Sequence, residues 1–318
     1  MTCLSELTAP SVPAKRSRRF RVIDGLLIAM MVLPLLAAAA LKVLYTPPSE
    51  GIKISGALIY LTLEGLPLQP LVITESQVNS WAVIITIFGL CLYLTHGLTE
   101  KAECKRQLAA EWIVEKVEGL VSANMEGGIF AGYGPFIAAI MGLSAFSSLS
   151  CLIGLYSPTG DVNVTAGWAI LVFILITHYK LKGGLGNYLI GFTKPVPLFT
   201  PMSIIGEFAT PVSMAFRHYG NVLSGAVIST LIGTALRGLS RQLLGWLPGF
   251  LGTFPLLQIG LPAILSAYFD VFSGGMQAFI FAILTMLNIS GAVPWEDWEA
   301  RRQKKELKKQ KKAARQAA

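Results

Sequence analysis

Long apolar runs, separated by shorter polar segments, dominate the pattern along the chain. Six runs are each long enough to cross a bilayer, because a membrane helix needs about 20 predominantly apolar residues. The last two runs exceed that length, so we expect these helices to be tilted or partly interfacial. The pattern predicts an all-α polytopic membrane protein. The expected spans cover residues 25–41, 81–98, 130–155, 164–179, 202–236 and 262–289.

The first run, residues 25–41, follows a basic segment and has two interpretations. Ala37–Ala40 is typical of the small-residue site at which a signal peptide is cleaved, whereas the basic leader Lys15–Arg21 is long for a signal peptide. We favour a retained helix over about 25–45. A loop of mixed character is then expected from Thr46 to about Asn79.

Residues Glu100–Val121 show a helical period without being apolar all round. Apolar side chains repeat on one face, and charged side chains occupy the rest of the surface. This pattern predicts an amphipathic helix at the membrane interface rather than a seventh span. The predicted apolar face consists of Ala110, Ile113, Val114, Val117, Leu120 and Val121.

The composition agrees with a membrane protein. Of the 318 residues, 53% are hydrophobic and 14% are charged, and the mean hydropathy is +0.59. Soluble domains have about 25% charged residues, so a soluble enzyme and a disordered chain are both excluded as the main interpretation. The apolar runs are also too long and continuous for the alternating strands of an outer-membrane barrel.

The net charge of +8 reflects basic residues that flank the spans rather than a nucleic-acid surface. With six spans, both termini lie on one side of the membrane, and 21 of the 26 Lys and Arg residues fall on that side. Because basic residues mark the cytoplasmic side, we expect a multi-pass membrane protein with both termini in the cytoplasm. The expected organisation is a basic tail (1–24), one membrane domain (25–298) and a second basic tail (299–318).

The chain has few residues that suggest catalysis. Its four cysteines form no CxxC pair, so neither a disulfide framework nor a metal site is expected. No Gly-rich nucleotide-binding loop and no Ser-His-Asp pattern occurs either. We therefore expect no cofactor, and any ATP chemistry must belong to another chain.

Arg217 is the most informative residue in the sequence. It is the only full charge between Phe208 and Leu236, and a guanidinium at the centre of a membrane helix has an insertion free energy of about 2.5–3.5 kcal/mol. It cannot lose its proton to avoid that penalty. One interpretation is a structural arginine that reaches the interface or a helix carbonyl. The other, which we favour, is a fixed positive charge that faces a polar pathway or the carboxylate of a partner.

Asp270 is the only acid or base between Gln242 and Trp295. A lone carboxyl in apolar surroundings is a candidate for proton exchange, although an internal hydrogen bond could also satisfy it. Gln277 follows two helical turns later, with Ser273 and Gly274 on the same face. A similar small and polar stripe on the preceding helix consists of Ser213, Arg217, Gly220, Asn221 and Ser224. Two such stripes on consecutive helices indicate an aqueous route.

Two further ionisable residues lie on the helix of Arg217. Glu207, near the expected cytoplasmic end, either draws cations into an inner vestibule or is a solvated acid at a helix start. His218 adjoins Arg217 but points in another direction on a helix, so we expect it to be a packing residue. His96 and His178 are expected at the membrane interface.

Three sequence patches resemble subunit a of the F-type ATP synthase membrane sector. The family pattern has a proline, a serine, an arginine, an aromatic-Gly-Asn triplet and a pair of small residues, preceded in many bacterial members by a Gly-Glu-Phe triplet. Two other patches match the D-V-N-x-T and Q-A-F-x-F-x-x-L-T patterns. The patches cover about 80–293 in the family order, and the first span lies outside this core. The matching stretches here are Gly206–Phe208, Pro211–Gly225, Asp161–Thr165 and Gln277–Thr285.

The resemblance implies a non-catalytic stator beside a ring of c subunits that carry membrane-embedded carboxyls. Two offset half-channels would lead ions to these carboxyls from opposite sides, and Arg217 would separate the channels, with Gln277 and Asn221 hydrogen-bonded around it. Other implied partners are peripheral-stalk b subunits, the remaining ATP synthase subunits and membrane lipid, but no nucleic acid. Asp270 would serve the outer route with Asn163 and Asp161 at its mouth, and Glu207 would serve the inner vestibule.

The chain departs from the family pattern at two positions. Ala226 stands where many members carry an acid, and Asp270 stands where they often carry His or Glu. The coupling ion therefore stays open between proton and sodium. Two alternatives are a secondary transporter in which Arg217 binds an anionic substrate, and an assembly scaffold without transport. A transporter usually has two related halves, and the sequence has no internal repeat.

Overall fold

The computed structural model is a bundle of long helices with one small hairpin. It describes residues 18–46, 56–63, 71–99, 104–125, 128–130, 132–182, 184–193, 200–246 and 260–295, with the single residues 198, 257, 299 and 303. Most of both basic tails lies outside these ranges. The helices are α1 Arg18–Tyr45, α2 Glu75–Thr95, α3 Lys105–Asn124, α4 Gly134–Leu149, α5 Val162–Lys182, α6 Leu185–Thr193, α7 Thr200–Leu244, α8 Leu261–Ser266 and α9 Gly274–Gly291. Short 3-10 turns occur at Gly128–Phe130, Ser150–Ile153 and Pro158–Gly160.

Six helical segments of the described chain are long and apolar enough to cross a membrane, which confirms the predicted number of spans. The fifth, α7, has 45 residues. At 1.5 Å per residue it is about 68 Å long, more than twice the roughly 30 Å hydrocarbon thickness. Its length therefore requires tilt or an extension beyond the membrane. Pro211 lies inside α7 and removes one backbone hydrogen bond there.

The first helix packs along the second. The Thr86 hydroxyl of α2 donates a hydrogen bond to the Met31 carbonyl of α1 at 2.9 Å. Gly89 permits this close approach, because a Cβ atom at that position would lie 3.0 Å from the Met31 side chain. These contacts join the middle of α1 to the rest of the bundle.

Residues expected to form a plain loop before α2 contain a two-stranded antiparallel hairpin. Strand β1 is Ile59–Leu63 and strand β2 is Leu71–Thr74, with Leu61 opposite Ile73. Helix α2 starts at Glu75, six residues earlier than expected. The Gln77 side chain accepts a hydrogen bond from the Thr74 backbone at 3.4 Å, which stabilises this start.

Helix α3 is present, and the residues of its predicted apolar face differ in burial. Val117, Leu120 and Val121 pack against the core, whereas Ile113 and Val114 are 43% and 55% exposed. Packing of α3 against α2, α4 and α9 selects which of its apolar residues are buried. The remaining apolar side chains stay on the outer surface of the bundle.

The main core lies between α4, α5, α7 and α9. Phe281 and Ile289 of α9 are buried against Ile137 of α4 and Val172 of α5, and Met214 of α7 completes the cluster. The last membrane helix is not a continuous α-helix. Between α8 and α9 it forms a π-helical segment, Ala267–Ser273, which contains Asp270. Helix α6, which lies between the fourth and fifth predicted spans, is a second unpredicted element.

Candidate functional site

Packing of α7 fixes the direction in which Arg217 points. Met214, Ala215 and His218 are buried on one face of α7. The His218 ring lies edge-on against Trp168 and Phe281, and its Nε2 lies 3.1 Å from the Ser144 hydroxyl. His218 is thus a packing residue, as expected.

Arg217 is turned away from the core as a result. The polar stripe predicted around it lies on the opposite face of α7, where Ser213, Asn221 and Ser224 are exposed. Within the described part of the chain, Arg217 is exposed and makes no hydrogen bond or ion pair. An unpaired guanidinium on the surface of a membrane helix is available to a carboxylate on another chain.

A cavity of about 370 Å³ lies beside the half of α7 that follows Arg217. Following the predicted orientation, we call it the outer cavity. Asp270, Ser273 and Gln277 line it from the last membrane helix, so the residues expected on one face do share a surface. Among the described residues Asp270 makes no hydrogen bond or ion pair, and it is the only carboxyl among the lining residues.

Asn221 and Gln277 join α7 to α9 at the inner end of the outer cavity. The Asn221 amide donates to the Gln277 side-chain oxygen at 2.7 Å. Gln277 is 2% exposed, and its Nε2 has no partner among the described residues. The two side chains that were expected to hydrogen-bond around Arg217 thus bond to each other.

Close helix packing forms the back wall of the outer cavity. A Cβ atom at Gly274 would lie 2.4 Å from the Ser148 Cβ, so α9 and α4 meet where only glycine fits. On the opposite wall, a Cβ atom at Gly225 of α7 would lie 3.1 Å from the Phe269 side chain. Small residues on the cavity stripes thus bring three helices together around Asp270.

The segment between α4 and α5 forms the mouth of the outer cavity. Tyr156 lines the cavity and donates its hydroxyl hydrogen to the Gly160 carbonyl at 2.8 Å. Burial, with the nearby carboxylates of Asp161 and Glu75, raises the pKa of the Tyr156 phenol. The phenol is therefore neutral and a hydrogen-bond donor at physiological pH.

Asp161 and Asn163 lie close to this mouth but do not line the cavity. Asp161 accepts hydrogen bonds from the Ser76 hydroxyl at 2.5 Å and from the Asn163 backbone at 2.9 Å. The carboxylate therefore caps the start of α5 and ties it to the start of α2. The Asn163 side chain is exposed.

A second cavity, of about 260 Å³, lies beside the half of α7 that precedes Arg217. We call it the inner cavity. Glu207 and Thr210 line it from α7, Asn288 from α9 and Lys180 from α5. Glu207 is not a free acid, because the Lys180 ammonium lies 2.5 Å from its carboxylate and the Tyr188 hydroxyl lies 3.5 Å from it.

Arg217 lies between the two cavities along α7. The α7 residues that line the inner cavity end at Thr210, and those that line the outer cavity start at Tyr219. The nine-residue step from Thr210 to Tyr219 corresponds to about 13.5 Å along the helix axis. The same division occurs on the last helix, where Gln277 belongs to the outer cavity and Leu287 to the inner one.

Several residues of the outer cavity were missed by the sequence interpretation. Lys42 comes from α1, Ser148 from α4, and Tyr219 directly precedes the predicted pair Gly220-Asn221. Glu75, at the start of α2, is 2% exposed and forms an ion pair with Lys42 at 3.0 Å. In the sequence, Glu75 is only an acid within a predicted loop, and nothing there indicates that it pairs with Lys42.

Comparisons with known proteins agree with this architecture. The family model described as the ATP synthase A chain matches residues 77–290. ATP synthase subunit a of Priestia megaterium is 31% identical over 235 residues, which cover 70% of this chain and 93% of that protein. The subunit a of Bacillus pumilus is 31% identical over 66% of this chain and 90% of its own length, and that of Listeria welshimeri is 30% identical over 66% and 87%.

The matched region contains Arg217 and most of the residues that line the two cavities, and it starts two residues after the first residue of α2. Helix α1 lies before it. Because the match covers more than half of the chain and agrees with the bundle of membrane helices, we conclude that the chain belongs to the ATP synthase A chain family, that of the ion-translocating membrane-sector subunit a of F-type ATP synthases.

Proposed function

We propose that this subunit provides two ion half-channels beside a ring of c subunits and couples proton movement to rotation of that ring. The observation that carries the proposal is the position of Arg217. It is exposed on the surface of α7, between one cavity in the outer half of the bundle and another in the inner half. A single continuous pore would not need a fixed cation between its halves.

Arg217 would act on the ring carboxyls through its permanent charge. A guanidinium favours the ionised form of a carboxyl that comes close to it. A carboxyl passing Arg217 would therefore release its proton into one half-channel and take up another from the opposite one. The same charge would repel protons that leak directly between the cavities.

Asp270 would relay protons through the outer half-channel. It is the only lining carboxyl, it lies in a half-open cavity, and no described residue neutralises it. A single carboxyl in a cavity that is also lined by hydroxyl and amide side chains suits a proton relay. We infer the proton, rather than sodium, as the coupling ion on this ground.

The Asn221–Gln277 bridge would close the outer route before Arg217. Its two amides join α7 and α9, and the unpartnered Gln277 Nε2 can donate a hydrogen bond to a ring carboxylate or to water. Glu207, paired with Lys180, would line the exit into the cytoplasm. Asp161 and Asn163 would lie at the outer mouth, where Asp161 holds α5 in place.

The proposed setting is the plasma membrane of a bacterium, with both termini in the cytoplasm. The distribution of basic residues supports this orientation. The c ring would contact the exposed face of α7 around Arg217 and Ser213. Peripheral-stalk b subunits and other ATP synthase subunits would hold this chain against the ring, and ATP chemistry would take place on those other subunits.

The test is Arg217→Ala in the complete synthase. We expect proton-driven ATP synthesis in inverted membrane vesicles to fall by at least about 100-fold, a loss typical of removing an essential electrostatic group, while the complex still assembles. Arg217→Lys should fail as well, because an ammonium lacks the planar fork of arginine.

Arg241→Ala is the matched control. Arg241 lies in the last turn of the same helix, is exposed, and lines neither cavity. It should support synthesis at the parent rate. Near-normal synthesis by Arg217→Ala would contradict the proposed function, and it is the result that the scaffold alternative predicts.

A further inference from the structure

Helix α1 precedes the family match, yet it is joined to the matched region along its whole length. At its inner end the Asp24 carboxylate lies 3.0 Å from Arg106 Nη1 and 3.0 Å from His96 Nδ1. Contacts around Met31 connect its middle to α2. Helix α1 is therefore a part of the bundle, and its outer end reaches the outer cavity.

Lys42, in the last turn of α1, belongs to that cavity. It lines the cavity and forms an ion pair with Glu75, its Nζ atom lying 3.0 Å from Oε1. The two side chains differ in exposure, at 32% for Lys42 and 3% for Glu75. The cation is thus in contact with the cavity, and the anion lies behind the wall.

Glu75 holds the segment that forms the mouth of the cavity. Its Oε1 accepts a hydrogen bond from the Tyr156 backbone at 3.2 Å, and its Oε2 accepts one from the Leu58 backbone at 3.5 Å. The neighbouring Asn79 amide donates to the Tyr156 carbonyl at 2.8 Å. The position of Tyr156 and Ser157, which line the mouth, therefore depends on a buried carboxylate.

A carboxylate in this position needs a compensating charge. Burial disfavours an unpaired anion, whereas a nearby cation stabilises it. Lys42 is the only cation recorded in an ion pair with Glu75 among the described residues. Without Lys42, the buried Glu75 carboxylate would be left with no compensating charge, and the segment that it holds would be free to rearrange.

We propose that Lys42 is a positioning residue of the outer proton route. Its ammonium compensates the charge of the buried Glu75 carboxylate, and that carboxylate holds residues 155–160 where they leave Asp270 accessible to water. This inference rests on the proposed function of the outer cavity. It assigns a role in transport to a helix outside the part of the chain that matches the family.

The first test is Lys42→Met in the complete synthase. Proton-driven ATP synthesis per assembled complex should fall on the order of tenfold, because removing one partner of a buried ion pair leaves the other uncompensated. Lys42→Arg should retain at least about half of the rate, since it keeps the charge. Arg19→Met is the control, because Arg19 is an exposed cation at the other end of the same helix.

A double variant separates the ion pair from a general need for a cation in the cavity. Lys42→Met combined with Glu75→Gln removes both charges and keeps an oxygen that can accept from Tyr156. We expect the double variant to recover most of the rate lost in Lys42→Met. If the double variant recovers none of the lost synthesis rate, the proposal is wrong. If neither variant assembles, the proposal is also wrong, because Lys42 would then be needed for folding alone.

Native Cys151 reports on water access, because it lines the same cavity. With Cys3, Cys91 and Cys104 replaced by Ser, a membrane-impermeant thiol reagent applied from the outer side should label Cys151. Labelling should slow in Lys42→Met and return in the double variant. Unchanged labelling and synthesis in Lys42→Met would overturn the proposal.

Arg217→Ala measured in parallel keeps the two proposals apart. If Arg217→Ala is inactive and Lys42→Met is normal, only the role of Lys42 is lost. If Arg217→Ala remains active, the proposed function itself fails.

Discussion

The outer and inner cavities each contain one carboxylate, and the two carboxylates have different surroundings. Asp270 in the outer cavity has no partner among the described residues. Glu207 in the inner cavity forms a 2.5 Å ion pair with Lys180 and also contacts Tyr188. The Glu207 carboxylate is therefore held in place by its partners, whereas the Asp270 carboxyl is open to water in the outer cavity. If the cavities act as the proposed half-channels, Asp270 would relay protons in the outer one, whereas Glu207 would supply a fixed ion pair in the inner one.

The largest effect should come from Asp270→Asn. The amide keeps the size of the carboxyl but cannot exchange a proton, so turnover should fall on the order of 100-fold, as for loss of a general acid or base. Asp270→Glu and Asp270→His should retain part of the activity because both can titrate. The measurement is ATP synthesis against outer pH at fixed driving force.

If the pH dependence of ATP synthesis in Asp270→Asn is the same as in the parent protein, Asp270 is not part of the outer route. Activity that follows sodium at constant pH would instead contradict the proton assignment and leave the two half-channels intact.

The second prediction concerns the separation of the two cavities. After the native cysteines are replaced, a cysteine substituted for Asp270, Ser273 or Gln277 should react with membrane-impermeant thiol reagents that are applied from the outer side. Cys at Thr210 or Asn288 should react from the inner side. Ile280 and Leu284, which line neither cavity, are the controls, and their labelling should be at least about tenfold slower, as for groups without water access. Equal labelling of Ser273 and Thr210 from one side would mean that the cavities are continuous.

A third prediction uses the glycine pair on α9. Gly274→Ala should lower the stability of the complex by about 1–3 kcal/mol, because the added methyl group overlaps Ser148 at the wall of the outer cavity. Gly275→Ala is a matched control, since a Cβ atom there meets nothing within 4 Å. Thermal unfolding of the purified complex measures both. Equal midpoints for the two variants would show that α4 and α9 can separate without loss.

The smallest effect should come from Glu207→Gln. The amide oxygen can still accept hydrogen bonds from Lys180 and Tyr188, and part-exposed ion pairs contribute little. We expect synthesis to fall by less than about fivefold. A loss as large as that of Asp270→Asn would mean that Glu207 relays protons itself, and the difference between the cavities would disappear.

The sequence was sufficient for features that depend on one helix at a time. Apolar length predicted the six spans. Helical spacing also placed Asp270 and Gln277 on one surface, and it separated His218 from Arg217 on α7. Each of these inferences uses only residues a few turns apart, where the geometry of the helix fixes their relative directions.

Features that join distant segments could not be predicted in this way. Glu75 interacts with Lys42 and Tyr156, and Ser76 binds Asp161, which is 85 residues away. Nothing in local periodicity specifies which helices will share a cavity. The exposure of Ile113 on α3 could not be predicted for the same reason. Which face of α3 is buried depends on the helices that pack against it.

The π-helical segment around Asp270 has a further consequence for the last membrane helix. Each residue of an α-helix turns the chain by about 100°, and a π turn accommodates one residue more than an α turn. The side chains of residues 261–266 therefore point in directions different from those that an uninterrupted α-helix continuing α9 would give them. Removing a single residue from Ala267–Ser273 would restore the regular winding and rotate the outer end of the helix by about a quarter of a turn. The number of residues in this π-helical segment therefore determines which side of residues 261–266 faces the rest of the bundle. The types of residue elsewhere in the helix do not affect that direction.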